Sequence, residues 1–171
     1  MVTSNFAQSA HNFIQTKLYR PAVKDTLVRR QRLLDLLDSG RDLPLTLVMA
    51  PAGSGKTTLL SDWLHSCPCP SAWLSLDEGD SDLGTFLTYF VAAIRTIFPD
   101  ACEQTLALLQ AIETPPTRIL VSTLINEIEV LHSHPVLATD KSFVLVLDDY
   151  HLIAGQEVNS LLIEILRHPP Q

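Results

Sequence analysis

The chain has 171 residues, 46% of them hydrophobic, and a formal net charge of −7. That length and apolar share fit one compact domain burying about 70% of its unfolded surface, and no apolar run approaches the ~20 residues that span a bilayer, so no membrane partner is expected. The charge is uneven, with seven Lys/Arg against three Asp/Glu in residues 1–41 and five against sixteen beyond, and so acidic a body argues against extended nucleic-acid contact by this segment.

Residues 1–15 lack a charged n-region leading into an apolar h-region, so no signal peptide is expected. Residues 1–26 read as an N-terminal extended segment, in which Pro21 biases the Thr16-Lys17-Leu18-Tyr19-Arg20 stretch before it away from helix. A single domain is expected over residues 27–171. It opens with a helix over residues 27–37, where Leu33, Leu34 and Leu37 share a face and Gly40 is a stop signal. Residues 45–49 form an apolar run expected to be the first core strand. Residues 57–66 follow as a helix, closed by Pro68 and Pro70, and residues 71–76 as a second strand. The acidic stretch 77–82 reads as a solvated loop ending in a helix cap at Asp82.

Leu83, Phe86, Leu87, Phe90, Val91, Ile94 and Ile97 then mark one helical stripe that stops at Pro99. These aromatics read as core rather than as a platform for stacking bases. A short helix is expected over residues 100–111, and Pro115-Pro116 breaks it. Helices over 117–131 and 156–167 flank a third strand over 143–147. Strands alternating with helices imply a layered α/β fold with a parallel sheet flanked by helices.

The three cysteines are Cys67, Cys69 and Cys102. Cys67-Pro68-Cys69 is not a C-x-x-C motif and three thiols cannot all pair internally, so a reduced, cytoplasmic protein is expected. Too few further ligands lie nearby for a thiolate metal site.

The chemistry concentrates in Ala50-Pro51-Ala52-Gly53-Ser54-Gly55-Lys56-Thr57, set between the first apolar run and a helix. This is the pattern of a phosphate-binding loop, with Ala50 where the first glycine usually stands. Gly53 and Gly55 let the backbone curl with its N–H groups inward. Those donors and the positive end of the following helix make a socket for a polyphosphate. Gly53, Ser54, Gly55, Lys56, Thr57 and Thr58 are the candidate phosphate-binding residues, and the Thr57 hydroxyl is placed to ligate Mg²⁺. The bland alternative is a Gly/Ser turn before an ordinary amphipathic helix; the strand before the turn and the helix after it favour the phosphate loop.

A second element agrees. Residues 143–147 run apolar into Asp148-Asp149, and carboxylates at the C-terminal end of a buried parallel strand project into the crevice where α/β sheets bind ligands. In that Walker B arrangement Asp148 holds Mg²⁺ through water and Asp149 polarises an attacking water. The alternative is a polar turn with an Asp capping the next helix.

The ordered set resembles a known family. Thr16-Lys17-Leu18-Tyr19-Arg20-Pro21, Val28-x-Arg30-x-Arg32-Leu33-Leu34, the loop through Thr58, Trp73-x-Ser75-Leu76-Asp77-Glu78-Gly79-Asp80 and Asp148-Asp149-Tyr150-His151 follow in order. This resembles the nucleotide-binding domain of MalT-like, LuxR-type ATP-dependent transcription activators, members of the STAND class of signalling ATPases. The resemblance implies a P-loop NTPase fold of the ASCE/STAND type, with ATP or ADP and Mg²⁺ as ligands. It implies self-association of the full-length protein, slow hydrolysis that resets the switch, and DNA binding through a separate C-terminal domain. Carried over, Thr57 and Asp148 serve Mg²⁺ and Asp149 assists hydrolysis. Arg30 and Arg32 lie where the family's segment before the loop approaches the adenosine, although a solvated helix face is the plain alternative. His151 matches a D-D-x-H pattern and reads as a structural hydrogen-bonding residue.

The chain stops at Gln171, one helix beyond the Walker B strand. In the family's sheet the next strand lies between the loop strand and the Walker B strand, so an α/β domain incomplete on its C-terminal side is expected, with those two strands facing a gap. Two other functions stand beside this one. A small P-loop kinase would need a basic lid, for which only Arg167 and His168 are present. A truncated product would bind nucleotide poorly or interfere with longer relatives.

Overall fold

The computed structural model describes residues 13–23, 27–113, 115–137 and 142–168. Helices α1 (Gln31–Ser39), α2 (Lys56–Ser66), α3 (Leu83–Arg95), α4 (Glu103–Leu109), α5 (Thr117–Leu131) and α6 (Gln156–Arg167) surround two strands, β1 (Ser71–Ser75) and β2 (Val144–Asp148). The strands are parallel, in a register that runs from Ser71 opposite Val144 to Ser75 opposite Asp148. The molecule is therefore a mixed α/β structure with a small two-stranded parallel sheet. Among the described residues no helix is long and apolar enough to cross a membrane.

Strand alternation sends side chains to two faces. On one face Trp73, Val144 and Val146 pack with Leu34 and Leu37 of α1 and with Trp63 and Leu64 of α2. The Trp63 indole N–H donates to the Asp38 carboxylate at 2.6 Å, which fastens α2 to α1. On the other face Ala72, Leu74, Leu145 and Leu147 meet the stripe of α3, Leu120, Leu124, Ile128 and Leu131 of α5, and Val158 and Leu161 of α6. Phe86, Leu87, Val91 and Ile94 of α3 are fully buried, each worth roughly 1.5–3 kcal/mol relative to exposure. Asp82 caps this helix, accepting from the Thr85 N–H at 2.8 Å. Helices α2, α3, α5 and α6 thus lie where their apolar periodicity puts them.

Residues 45–49 do not form the expected core strand. They form no regular element and lie outside the sheet, with Leu45, Leu47 and Met49 exposed by 57%, 68% and 80%. Only Val48 packs inward, onto the cluster that holds Trp63 and Trp73. A strand requires a hydrogen-bonded neighbour, and among the described residues β2 is paired with β1 alone. Among the described residues, the 45–49 segment and β2 are not paired with each other. Helix α1 begins at Gln31 rather than at residue 27, leaving Val28 outside it and 83% exposed.

The acidic stretch also departs from expectation. Asp77 caps a short 3-10 turn, Glu78–Ser81, and Asp80 is fully buried rather than solvated. Its oxygens accept from Lys17 Nζ at 2.7 and 2.8 Å and from the Asp77 N–H at 2.8 Å. The same ammonium lies 2.8 Å from Asp77 Oδ2 and 4.6 Å from the centroid of the Tyr89 ring. Phe13 stacks on that ring, and the Ile14 N–H donates to the Tyr89 hydroxyl. The N-terminal segment is thereby bolted to the start of α3. Burial disfavours the charge on Lys17, but the hydrogen bonds and charges of Asp77 and Asp80 outweigh it and hold the ammonium above its ordinary range. The Lys17 hydrogen bond in turn holds Asp77 below the usual carboxylate range.

Cys67 and Cys69 are joined in a disulfide, against the expectation of a fully reduced chain, while Cys102 is free and buried. Two residues of separation suffice because the backbone leaves α2 at Cys67 in an extended conformation, with its Cα 5.4 Å from that of Cys69.

Candidate phosphate-binding site

Gly53 and Gly55 adopt left-handed conformations, with φ of 76° and 81°. A side chain at either position would be strained, which explains the glycines. Gly55 caps α2, and Lys56, Thr57 and Thr58 form the first turn of that helix. Their backbone donors are among those a helix leaves without internal partners, and they sit at its positive end. The Ser54 N–H and hydroxyl both turn onto the Pro51 carbonyl, which closes the loop upon itself.

Lys56 reaches back across the loop, its Nζ 3.0 Å from the Ala50 oxygen and 3.4 Å from that of Pro51. The Thr57 hydroxyl donates to Asp148 Oδ1 at 3.1 Å, across 91 residues of sequence. Asp148 ends β2 and is only 6% exposed. Burial raises its pKa above the usual carboxylate value, the Thr57 hydrogen bond opposes that shift, and the neighbouring Asp149 adds to it. Asp149 begins the turn after the strand in a left-handed conformation, φ 57°, with its side chain exposed. Its Oδ1 lies 3.8 Å from His151 Nδ1, an ion pair only when the imidazole is protonated.

A cavity of about 420 Å³ adjoins the loop, lined by Leu27, Val28, Arg30, Gly53, Gly55, Thr58, Leu59 and Asp62. Arg30 donates to the Ser54 carbonyl at 2.9 Å. Arg32 lies on the exposed face of α1 and is not among the residues lining this cavity. Of the two arginines, only Arg30 is thus brought to the loop.

Sequence reasoning missed Arg29 and Asp62. Arg29 Nε lies 3.3 Å from the buried Asp62 carboxylate and its Nη2 donates to Ser66 Oγ, pinning the segment before α1 onto the side of α2. The Ser61 hydroxyl donates to the Pro21 carbonyl from the same helix. The one available signal was Asp62 itself, an acid on the inward face of an otherwise apolar turn.

Two protein oxygens, Thr57 Oγ1 and Asp148 Oδ1, could hold a divalent cation. That small number suits Mg²⁺, which keeps several waters and takes phosphate oxygens rather than an all-protein cage. Among the described residues there is no group of three or more His, Cys, Asp or Glu that could hold a metal by itself. No protein-family model matches the chain.

Proposed function

We propose that this chain is the nucleotide-binding part of a P-loop signalling ATPase, taking ATP or ADP with Mg²⁺ at residues 50–58, and that it serves a MalT-like, LuxR-type transcription regulator. The observation that carries the proposal is the Thr57–Asp148 hydrogen bond. A chance Gly/Ser turn and an unrelated strand end have no reason to meet. A phosphate loop and a Walker B acid must meet, because one Mg²⁺ engages both.

In this reading the N–H groups around Gly53, Ser54 and Gly55 and those opening α2 cradle the phosphates. Lys56 exchanges the carbonyls of Ala50 and Pro51 for the terminal phosphate oxygens. Thr57 and Asp148 turn their oxygens to Mg²⁺, which when bound neutralises charge on the β- and γ-phosphates. Asp149, exposed one residue beyond the strand, orients the attacking water. The nucleoside lies toward Leu27, Val28, Arg30 and Leu59. Self-association belongs to the full-length regulator, and DNA contact to a separate C-terminal domain of it.

The test is thermal unfolding of the chain titrated with ATP and with ADP, with and without Mg²⁺. At 100 times Kd the ligand stabilises by about 2.7 kcal/mol, or roughly 5–11 °C for a domain of this size. Lys56→Ala should erase that shift for the triphosphate; an unchanged shift in that variant overturns the proposal.

A further inference from the structure

We propose that Cys67 and Cys69 form an exchangeable disulfide, opened by a dithiol reductant at Cys67, that sets how firmly the end of α2 is joined to β1.

The bond stands at a joint. Cys67 caps α2, its N–H donating to the Trp63 carbonyl at 2.9 Å. The Cys69 N–H lies 3.4 Å from Cys67 Sγ. Just beyond, the Pro70 carbonyl accepts from the Val144 N–H at 3.0 Å, one rung ahead of the parallel ladder. Prolines at 68 and 70 fix the backbone on either side of Cys69. The disulfide therefore ties the last turn of α2 to the first rung between β1 and β2.

Its contribution to the fold is small. Closing a loop across two residues removes little freedom from the unfolded chain, and Trp63, Leu64 and Trp73 already hold α2 to the sheet. Accessibility differs between the sulfurs. Cys69 is 6% exposed, whereas Cys67 is only partly buried, so a thiolate enters at Cys67. Cys102 does not compete, because it is buried and burial pushes its thiol up to about 12.

The exchange balances as a two-electron step. A thiolate of the reductant attacks Cys67 Sγ, the sulfur–sulfur bond breaks, and Cys69 leaves as a thiolate that takes a proton. The second thiol of the reductant then attacks the mixed disulfide, releasing Cys67, which is protonated in turn. The reductant ends as a cyclic disulfide and the protein as a dithiol. Two electrons and two protons pass to the protein.

The experiment equilibrates the purified chain in a series of reduced-to-oxidised dithiothreitol ratios, quenches it in acid, alkylates it unfolded and weighs it. The expected record is a single step from one label to three, becoming a step from none to two in Cys102→Ala and replaced by two labels at every ratio in Cys67→Ser. Hydrogen exchange run on the folded chain at each ratio, before the quench, should show the amides of residues 63–67 exchanging faster once the bond opens. Three labels at every ratio, or one label even in fully reduced buffer, overturns exchangeability. Unchanged exchange at residues 63–67 overturns the coupling to α2. None of these measurements involves nucleotide, so their outcome is independent of the ATP-binding proposal.

Discussion

Replacing Lys17 by Met removes the cation that faces Asp77 and Asp80 and leaves its aliphatic volume roughly filled. Asp80 has a side chain only 1% exposed, and Lys17 is 11% exposed. Without Lys17, Asp80 keeps the Asp77 N–H as a donor but loses both hydrogen bonds to the ammonium. Breaking a buried pair from one side costs about 3–5 kcal/mol, because the other charge stays buried without a counterion. For a domain of this size that is roughly 6–20 °C in Tm. The exposed contact to Asp77 adds little. Denaturant unfolding of Lys17→Met, Asp80→Asn and the double variant would separate the pair from the loss of packing, with the double variant recovering much of the single loss. The pair also gives a pH signature. Because the Lys17 pKa is raised in the folded state, its contribution is complete below the ordinary lysine value and lost as pH rises through the raised one. A loss below about 1 kcal/mol for Lys17→Met, the range of a surface pair, would refute the assignment of a buried anchor.

The Walker B acids should separate by role. Because burial raises the Asp148 pKa, its charged form opposes folding, and this part of the stability is lost as pH rises from the ordinary carboxylate value through the raised one. Asp148→Asn should therefore raise Tm at pH 7 while weakening the Mg²⁺ dependence of nucleotide binding, as thermal shifts with and without the ion would record. Asp149→Asn should spare binding and fold, since Asn tolerates the left-handed conformation found there, yet lower single-turnover ATP hydrolysis; equal loss of binding from both changes would mean that the roles are misassigned. Gly155 caps α6, and a Cβ there would collide with the Ser81 backbone oxygen. Gly155→Ala should cost roughly 1–3 kcal/mol in urea unfolding, and a neutral effect would show that the contact yields.

The helices were legible because each carries its own evidence. Apolar spacing and flanking prolines mark the ends of α5, and the same signals mark α6, both at the residues observed. The turn before α2 was legible because glycines at 53 and 55 fit the left-handed backbone found there, while phosphate binding by it is the proposal made above. Residues 45–49 show where such reading stops. Their composition fits a strand, but strand formation depends on a neighbour that local sequence does not contain. The acidic stretch failed for a similar reason, since whether Asp80 is solvated depends on Lys17, 63 residues earlier. The disulfide was missed because two cysteines with one residue between them carry no pairing signal. The Thr57–Asp148 contact was expected only through the joint logic of two motifs, as nothing in either segment alone points to the other.

The loop over residues 50–55 hangs from two very unequal supports. On its C-terminal side it runs straight into α2, clamped by Trp63, Asp62 and the sheet beneath. On its N-terminal side it continues residues 45–49, held by the Val48 side chain and a long Thr46–Gly40 contact, with no ladder of backbone hydrogen bonds among the described residues. On the reading proposed above, a ligand held by the loop would have to fix its sparsely bonded side as well as contact the helical one. Part of its intrinsic affinity goes into that ordering. If the proposed nucleotide site is right, whatever braces residues 45–49 would tighten binding without touching the nucleotide, and by thermodynamic reciprocity the nucleotide would favour that brace equally.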